Sequence, residues 1–122
     1  MRISVIGTGN MGGAIASALY ESEYEVAVYD KAPEKAEKLA EEHEGMTVLS
    51  SIEDASGSDA IIIAVKPQVL PSLYLTLREI DTELWVSIAA GVPLSVLEDH
   101  LGTDSIVRFM PNIAASAKKA VT

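Results

Sequence analysis

The fold is decided by residues 3–13, which read Ile-Ser-Val-Ile-Gly-Thr-Gly-Asn-Met-Gly-Gly. The run Ile3–Ile6 predicts a strand, and the glycine-rich turn after it leads straight into Met11–Tyr20, a helical stretch of small and apolar residues. A Gly-x-Gly-x-x-Gly motif placed between a strand and a helix is typical of the first unit of a doubly wound α/β sheet. The rest of the chain should therefore repeat the alternation of strand and helix.

Short runs rich in branched aliphatic residues do recur, and helical stretches follow most of them. The run Ala60–Val65 has no polar alternation, which is expected of a central strand covered by helices on both faces, so we place it beside the first strand. The alternation predicts an α/β fold, a single Rossmann-type domain with a doubly wound, mostly parallel sheet in the strand order 3-2-1-4-5-6. The expected strands are Ile3–Ile6, Val26–Tyr29, Met46–Leu49, Ala60–Val65, Leu84–Ile88 and Ile106–Met110.

Four more helices are expected between these strands. Pro33–Glu42 is amphipathic, and its many charged residues predict a solvated face. A short helix should begin near Ser51 and a longer one near Pro71. The last should begin at Pro93 and end at Gly102, with an apolar side made of Leu94, Leu97 and Leu101.

Composition excludes several classes of function. The 122 residues favour one domain, and the absence of cysteine excludes disulfides, zinc–thiolate sites, iron–sulfur clusters and a cysteine nucleophile. Eighteen acidic residues against nine basic ones give a net charge of -9, which disfavours binding to nucleic acid. No apolar run approaches the roughly 20 residues of a membrane span, and no signal peptide is evident. We expect a cytoplasmic protein that acts on a small molecule.

The glycine-rich turn predicts a binding site for a dinucleotide. Gly7 would permit the tight turn, Gly9 would let the backbone approach a pyrophosphate, and Gly12 would allow close packing of helix on strand. The pyrophosphate would lie at the positive end of the following helix, close to Thr8 and the backbone of Asn10–Met11. The alternative is a glycine-rich connection that binds nothing.

Asp30 follows the second strand, 18 positions after Gly12, close to the spacing of about 20 residues at which a carboxylate meets the adenosine ribose. A carboxylate there would repel a 2′-phosphate, so the cofactor is expected to be NAD(H) or NADP(H) with a slight preference for NAD(H). Lys31 weakens that preference because it could turn toward a phosphate. Asp30 could instead cap the helix that starts at Pro33, and the two roles can coexist.

Three further segments follow strands, at the sheet edge where ligands bind in open α/β sheets. They are Ala64-Val65-Lys66-Pro67-Gln68, Ser87-Ile88-Ala89-Ala90-Gly91-Val92-Pro93 and Val107-Arg108-Phe109-Met110-Pro111-Asn112. Together with the glycine-rich turn, they resemble the N-terminal NAD(P)-binding domain of the pyrroline-5-carboxylate reductase family in order and spacing. The resemblance rests on the words Gly-Asn-Met-Gly, Val-Lys-Pro-Gln, Ala-Ala-Gly and Met-Pro-Asn, and it covers residues 1–113.

The resemblance implies an oxidoreductase that passes hydride from a reduced nicotinamide to the C=N bond of 1-pyrroline-5-carboxylate and yields proline. It also implies that residues 1–113 are the dinucleotide-binding domain and that 114–122 begin a connection to an absent helical domain for dimerisation and substrate binding. Ala114 and residues 118–120 depart from the family pattern at this joint. The 122 residues alone are expected to be inactive or weakly active, and a homo-oligomer, a second domain or a partner chain would complete the site.

The resemblance further implies which turns meet the cofactor. Lys66 is the one candidate for a direct chemical role, although a lysine before a proline in an exposed turn is more often solvated, and the catalytic residue is otherwise unknown. Taken singly, each of these segments could equally be an ordinary turn at the end of a strand, with no contact to a cofactor. The implied contacts are Ala64, Val65, Lys66, Pro67, Ala89, Ala90 and Gly91 at the nicotinamide ribose and ring, with Met110, Pro111 and Asn112 near its carboxamide.

Other chemistries find little support. His43 and His100 lie in separate helices without a ligand spacing, so no metal site is expected. Ser51, Ser56 and Ser58 lack the surroundings of a nucleophile. Three alternatives stay open beside the reductase: another imine or β-hydroxyacid reductase that shares this domain, a non-catalytic dinucleotide-binding module, and an inert interaction domain.

Overall fold

In the part of the chain that the structure describes, six parallel strands form one sheet with helices on both faces. The computed structural model describes residues 1–89 and 91–109 of the chain. The strands are β1 (Arg2–Ile6), β2 (Glu25–Tyr29), β3 (Thr47–Val48), β4 (Ala60–Ile63), β5 (Trp85–Ser87) and β6 (Ile106–Arg108). The α-helices are α1 (Asn10–Glu21), α2 (Pro33–Glu41), α3 (Tyr74–Arg78) and α4 (Leu94–Leu101), and two 3-10 helices cover Ile52–Ala55 and Leu70–Ser72.

The sheet runs β3-β2-β1-β4-β5-β6, so the predicted strand order and fold class are confirmed. β1 lies in the middle, where Val5 is opposite Val28 of β2 and Ile62 of β4. All four residues of β4 are buried, which confirms that this uninterrupted apolar run is a central strand beside β1.

Two apolar layers hold the helices against the sheet. Successive side chains of a strand point to opposite faces, and Ile61 and Ile63 accordingly join one layer while Ile62 joins the other. Trp85 is only 3% exposed and belongs to the same layer as Leu97, as expected for a residue packed under a covering helix. Among the described residues, no helix has the length and apolar character needed to cross a bilayer.

Several elements are shorter than expected, among them β4 and the helix near Pro71. β4 ends at Ile63, so the last two residues of the predicted strand, Ala64 and Val65, belong to the following turn. The longer helix expected near Pro71 is a 3-10 turn at Leu70–Ser72 followed by the five residues of α3. In the 3-10 turn, Leu73 donates its N–H to the Leu70 carbonyl oxygen over 2.9 Å, and α-helical bonding begins where Leu77 donates its N–H to the Leu73 carbonyl oxygen over 2.9 Å.

The end of α4 agrees with the expectation. Leu97 and Leu101 are buried, Leu94 packs partly against the same layer, and Gly102 follows the helix with a φ of 71°. A left-handed residue after the last turn is where glycine is favoured, because it has no Cβ to clash.

Candidate functional site

The glycine-rich turn lies between the ends of β2 and β4. Gly7 donates its N–H to the Tyr29 carbonyl oxygen over 2.7 Å, and Ala64 donates its N–H to the Ile6 carbonyl oxygen over 2.8 Å. These two bonds continue the pairing of β1 with both neighbours past the last strand residues. The turn therefore lies at the switch point of the sheet, where the strand order continues in opposite directions on the two sides of β1. Ligands usually bind at this point in open α/β sheets.

Two glycines are required by the close approach of backbone to backbone. Gly7 has a φ of 104°, and a Cβ added there would lie 2.9 Å from the Ala64 carbonyl carbon. A Cβ at Gly12 would overlap the Gly7 carbonyl oxygen and come within 3.0 Å of the Ala64 Cβ. The structural roles predicted for Gly7 in the turn and for Gly12 in helix packing are confirmed.

Gly9 has a different environment. It is exposed, it is the N-cap residue of α1, and a Cβ added there would meet no atom of residues 1–89 and 91–109 within 4 Å. No side chain caps α1, and the first N–H groups of an α-helix have no partner inside the helix. Open space in front of these donors, at the positive end of a 12-residue helix, suits a phosphate group.

Asp30 ties the end of β2 to this turn. Its Oδ2 accepts hydrogen bonds from the Thr8 N–H over 2.7 Å and from the Thr8 hydroxyl over 2.8 Å, while its Oδ1 accepts one from the Ala32 N–H over 2.8 Å. The N-cap residue of α2 is Ala32, and no side chain of the described residues caps this helix, so the alternative in which Asp30 caps it is wrong. The carboxylate instead stabilises the turn that leads into α2.

These contacts also set the charge of Asp30. Partial burial acts to raise the pKa of this carboxyl group, but the hydrogen bonds from Ala32 and Thr8, together with the positive charge of Lys35, outweigh it. The net pKa lies below its ordinary value. Asp30 is therefore a carboxylate at neutral pH.

A cleft of about 380 Å³ opens beside the turn and brings together seven of the predicted residues. Its wall includes the glycine-rich turn, the end of β2 and the turn after β4. The predicted residues that line it are Gly7, Gly9, Asp30, Lys31, Ala64, Val65 and Lys66.

Sequence reasoning missed several residues of this cleft. Lys35 was assigned to a solvated face, and it is exposed, but it also lines the cleft. The signal for it was Pro33, which marks the first helical position of α2 and so places Lys35 in the turn next to the end of β2. The other missed residues are Ile6 and Tyr29, which end β1 and β2, and Val69, Ser72 and Leu73, which lie in or beside the 3-10 helix Leu70–Ser72.

Four other predicted residues line two further cavities. Thr8 and Asn10 line a cavity of about 390 Å³ on the α2 side of the turn, which shares Gly9 and Lys35 with the cleft. Pro67 and Gly91 line one of about 530 Å³ between α3 and α4.

Of the predicted residues that the structure describes, Met11, Gly12 and Ala89 do not line these cavities. Met11 packs against an apolar layer of the core. Ala89 is buried, and its N–H donates to the Ser87 hydroxyl over 3.3 Å. Ala90 and the segment 110–112 (Met110, Pro111 and Asn112) lie outside the described residues, as do the expected end of the sixth strand and the connection at 114–122.

Both histidines make local contacts. His43 Nδ1 lies 2.8 Å from the Leu39 carbonyl oxygen, and its ring meets Tyr20 edge to face. His100 stacks on Tyr74 with ring centroids 4.1 Å apart. In residues 1–89 and 91–109, no group of three or more His, Cys, Asp or Glu side chains could hold a metal ion.

The cleft fits a dinucleotide. A pyrophosphate would occupy the space that a Cβ at Gly9 would fill, facing the N-terminal N–H groups of α1. Asp30 offers an acceptor for ribose hydroxyls, and Lys31 and Lys35 place positive charge at the same end of the cleft. Backbone groups and small side chains of the turn at Ala64–Val65 form the opposite wall.

Comparison with known proteins agrees with this arrangement. A family model described as NADP oxidoreductase coenzyme F420-dependent matches residues 2–91. The chain is 38% identical over 117 residues to the pyrroline-5-carboxylate reductase of Vibrio alginolyticus, a match that covers 91% of the chain and 43% of that relative. It is 37% identical to the enzyme of the same name from Escherichia coli, over 99% of the chain and 48% of that relative.

A solved structure shows the same relation. The pyrroline-5-carboxylate reductase of Coxiella burnetii superposes with a TM-score of 0.76 and 32% identity, over 90% of this chain and 43% of that one. The family expected from the four sequence motifs is thereby confirmed. The chain spans about half the length of the curated relatives it matches.

Proposed function

Because the chain belongs to the NADP oxidoreductase coenzyme F420-dependent family and matches half the length of pyrroline-5-carboxylate reductases, we propose that it binds a nicotinamide dinucleotide for the reduction of a cyclic imine. The reaction is hydride transfer from NAD(P)H to the C=N bond of 1-pyrroline-5-carboxylate, giving proline. The substrate and the activity of the whole protein are part of this proposal, since the relatives that carry the name are about twice as long.

The proposal rests on one observation: the segments at the ends of three strands line a single cleft, and their chemical groups suit a dinucleotide. β1 contributes the glycine-rich turn, β2 contributes Asp30, and β4 contributes the turn at Ala64–Lys66. A binding module for a small neutral ligand would have no need of an open helix N-terminus, a carboxylate and two lysines in one cleft.

The nicotinamide supplies the hydride chemistry when it is bound, and the protein supplies position and electrostatics. Hydride transfer depends on distance and orientation, so the chain's main contribution would be to hold the reacting face of the cofactor toward the substrate. We propose that the turns at Ala64–Pro67 and Ala89–Gly91 form the nicotinamide end of the site, with Met110–Asn112 near the carboxamide. Lys66 is exposed at the rim of the cleft, where it could orient a substrate carboxylate.

The choice between NAD(H) and NADP(H) depends on the charges at the other end of the cleft. The lowered pKa of Asp30 keeps it ionised, which disfavours a 2′-phosphate, while Lys31 and Lys35 favour one. We propose a slight preference for NAD(H), because Asp30 would lie closest to the ribose hydroxyls.

The rest of the site is proposed to come from outside residues 1–113. A helical domain, supplied by the same chain or by a partner, would contact the substrate and complete the active site, and assembly as a homo-oligomer belongs to the same proposal. We also propose a cytoplasmic location, which fractionation of cells that express the protein would test.

The experiment is a parallel titration of the chain with NADH and NADPH, followed by nicotinamide fluorescence. We expect saturable binding of both, with a modest preference for NADH. Addition of 1-pyrroline-5-carboxylate to the saturated complex then tests for turnover, and binding without turnover would favour a cofactor-binding part that needs a second domain.

Gly9→Val provides the decisive variant. Its Cβ would meet no atom of the described residues within 4 Å and its side chain would enter the space assigned to the pyrophosphate, so we expect the dissociation constant for NADH to rise by about tenfold or more, equivalent to about 1.4 kcal/mol. Gly13→Ala is the matched control, because a Cβ there makes only an ordinary contact, 3.7 Å from the Thr8 carbonyl oxygen. Failure of the wild-type chain to bind either dinucleotide would contradict the proposal.

A further inference from the structure

Two donors of Thr8 converge on one carboxylate oxygen. The Thr8 N–H and hydroxyl lie 2.7 and 2.8 Å from Asp30 Oδ2, across 22 residues of sequence, and the second oxygen of Asp30 is bonded to the Ala32 N–H. A carboxylate that accepts a hydrogen bond makes a stronger bond than a neutral acceptor does. Asp30 is thus a link between the end of β2 and the middle of the glycine-rich turn.

We propose that Asp30 is a positioning residue that acts through Thr8, holding the glycine-rich turn in the shape that accepts a phosphate, independently of any contact with the ribose. The proposal rests on the dinucleotide function proposed above. It assigns to Thr8 the role of an anchor, whose N–H and hydroxyl serve Asp30 and not the phosphate.

The geometry of the turn explains why such an anchor is needed. The backbone is tied at Gly7 through its hydrogen bond to Tyr29 and is regular again from Asn10, where α1 begins. Between these points, Gly9 is exposed and has no neighbouring atom of the described residues within 4 Å of an added Cβ. Thr8 is the residue through which the intervening backbone is held, and Asp30 is its partner.

The same hydrogen bonds also affect the repulsion that the Asp30 carboxylate would exert on a bound phosphate. A bare carboxylate close to a phosphate site would repel the ligand. Here three donors and the charge of Lys35 stabilise the ionised form, and the resulting low pKa keeps the acceptor available at neutral pH. The negative charge is therefore engaged with the protein's own donors before any ligand arrives.

The two roles of Asp30 are separated by comparing ADP with 2′,3′-dideoxy-ADP, which keeps both phosphates but lacks the ribose hydroxyls. Binding of each to the full chain is measured by isothermal titration calorimetry for the wild type, Asp30→Asn, Thr8→Val and Thr8→Ser. Thr8→Val removes the hydroxyl from a side chain of similar shape, and Thr8→Ser restores it. Glu53→Gln is the charge-matched control, since Glu53 is exposed in the 3-10 helix Ile52–Ala55.

We expect Asp30→Asn and Thr8→Val to weaken the binding of dideoxy-ADP by about three- to tenfold, equivalent to roughly 0.7–1.4 kcal/mol. Thr8→Ser should bind close to the wild-type level, as should Glu53→Gln. Thermal unfolding by circular dichroism fixes a temperature at which every variant is folded, and Thr8→Val alone tests the proposal if Asp30→Asn does not fold.

Two results would overturn the proposal, and they differ in what they mean for the proposed function. If Asp30→Asn weakens ADP but leaves dideoxy-ADP unchanged, and Thr8→Val changes neither, Asp30 acts only on the ribose and this inference is wrong while the proposed function stands. If the wild-type chain binds neither NADH nor ADP, the proposed function fails, and the positioning role fails with it.

Discussion

Gly12 has room for a hydrogen atom and nothing larger. A Cβ there would overlap the Gly7 carbonyl oxygen, which is backbone and has no freedom to rotate away. We expect Gly12→Ala to lower the free energy of unfolding by about 3 kcal/mol, at the upper end of the cost of overpacking, as measured by urea denaturation. Gly13→Ala, one position further along the same helix, should instead raise it by roughly 0.5–1 kcal/mol. Equal stability of the two variants would contradict this account of the packing.

The protonation of Asp30 should affect stability only in acid. Because its pKa is lower in the folded chain than in the unfolded one, the ionised form stabilises the fold above the unfolded value of about 4, and this contribution is lost as the pH falls through the folded value. We expect the urea midpoint of the wild type to exceed that of Asp30→Asn at pH 7, and the difference to shrink below about pH 4. A difference that stays constant from pH 7 to pH 3 would show that the charge of Asp30 is not involved.

Among single residues, the sequence predicts those whose role depends on local backbone geometry. Gly7 and Gly12 were predicted from spacing alone, because a tight turn into a helix imposes the same steric demand wherever it occurs. The partnership of Asp30 with Thr8 was not predicted, since it depends on how far β2 extends past β1 and on which way the turn faces. The place of Lys35 was missed for the same reason.

Helices α3 and α4, whose buried side chains belong to the same apolar layer, offer a test at the level of secondary-structure elements. Leu97 of α4 is fully buried, while Leu75 of α3 is 82% exposed. We expect Leu97→Ala to cost about 2–5 kcal/mol of unfolding free energy, because it leaves a cavity in the apolar layer. Leu75→Ala should stay within about 0.5 kcal/mol of the wild type. Chemical denaturation of both variants measures the contrast, which would vanish if α4 did not pack on the sheet.

Element type was more predictable than element length. Every predicted strand and helix that lies within the described residues has a counterpart, since apolar periodicity records which face is buried. Lengths depend on competing local geometry: the helix expected near Pro71 begins as the 3-10 turn Leu70–Ser72, and β3 shortens to Thr47–Val48, because only two of its residues pair with β2.

The two apolar layers of the molecule pack on the same sheet, so we expect them to unfold in a single transition. Trp85 is the only tryptophan in the sequence and is buried in one layer, so its fluorescence reports on that layer, while far-ultraviolet circular dichroism reports on all helices. We expect both signals to give the same urea midpoint, as for a two-state domain. A fluorescence transition at lower urea than the circular dichroism transition would indicate that the α3 and α4 side unfolds first.

The topology was predictable because few arrangements satisfy a central apolar strand, right-handed crossovers and ligand turns at one edge. The observed order matches the expected one across the sheet. The division of the predicted site residues among three cavities was not predictable, because cavities arise from the packing of segments that are distant in sequence and irregular in backbone.

The central place of β1 has a consequence for the assembly of the chain. Strands β1 to β3 pair among themselves, as do β4 to β6, and the pairing of β1 with β4 is the single strand contact between the two groups in the described sheet. Each group is contiguous in sequence, and they meet at the exposed Ser50. A polypeptide cut after Ser50 therefore yields two fragments with intact internal registers and one matching seam, so the fold is suited to reconstitution from separately expressed halves.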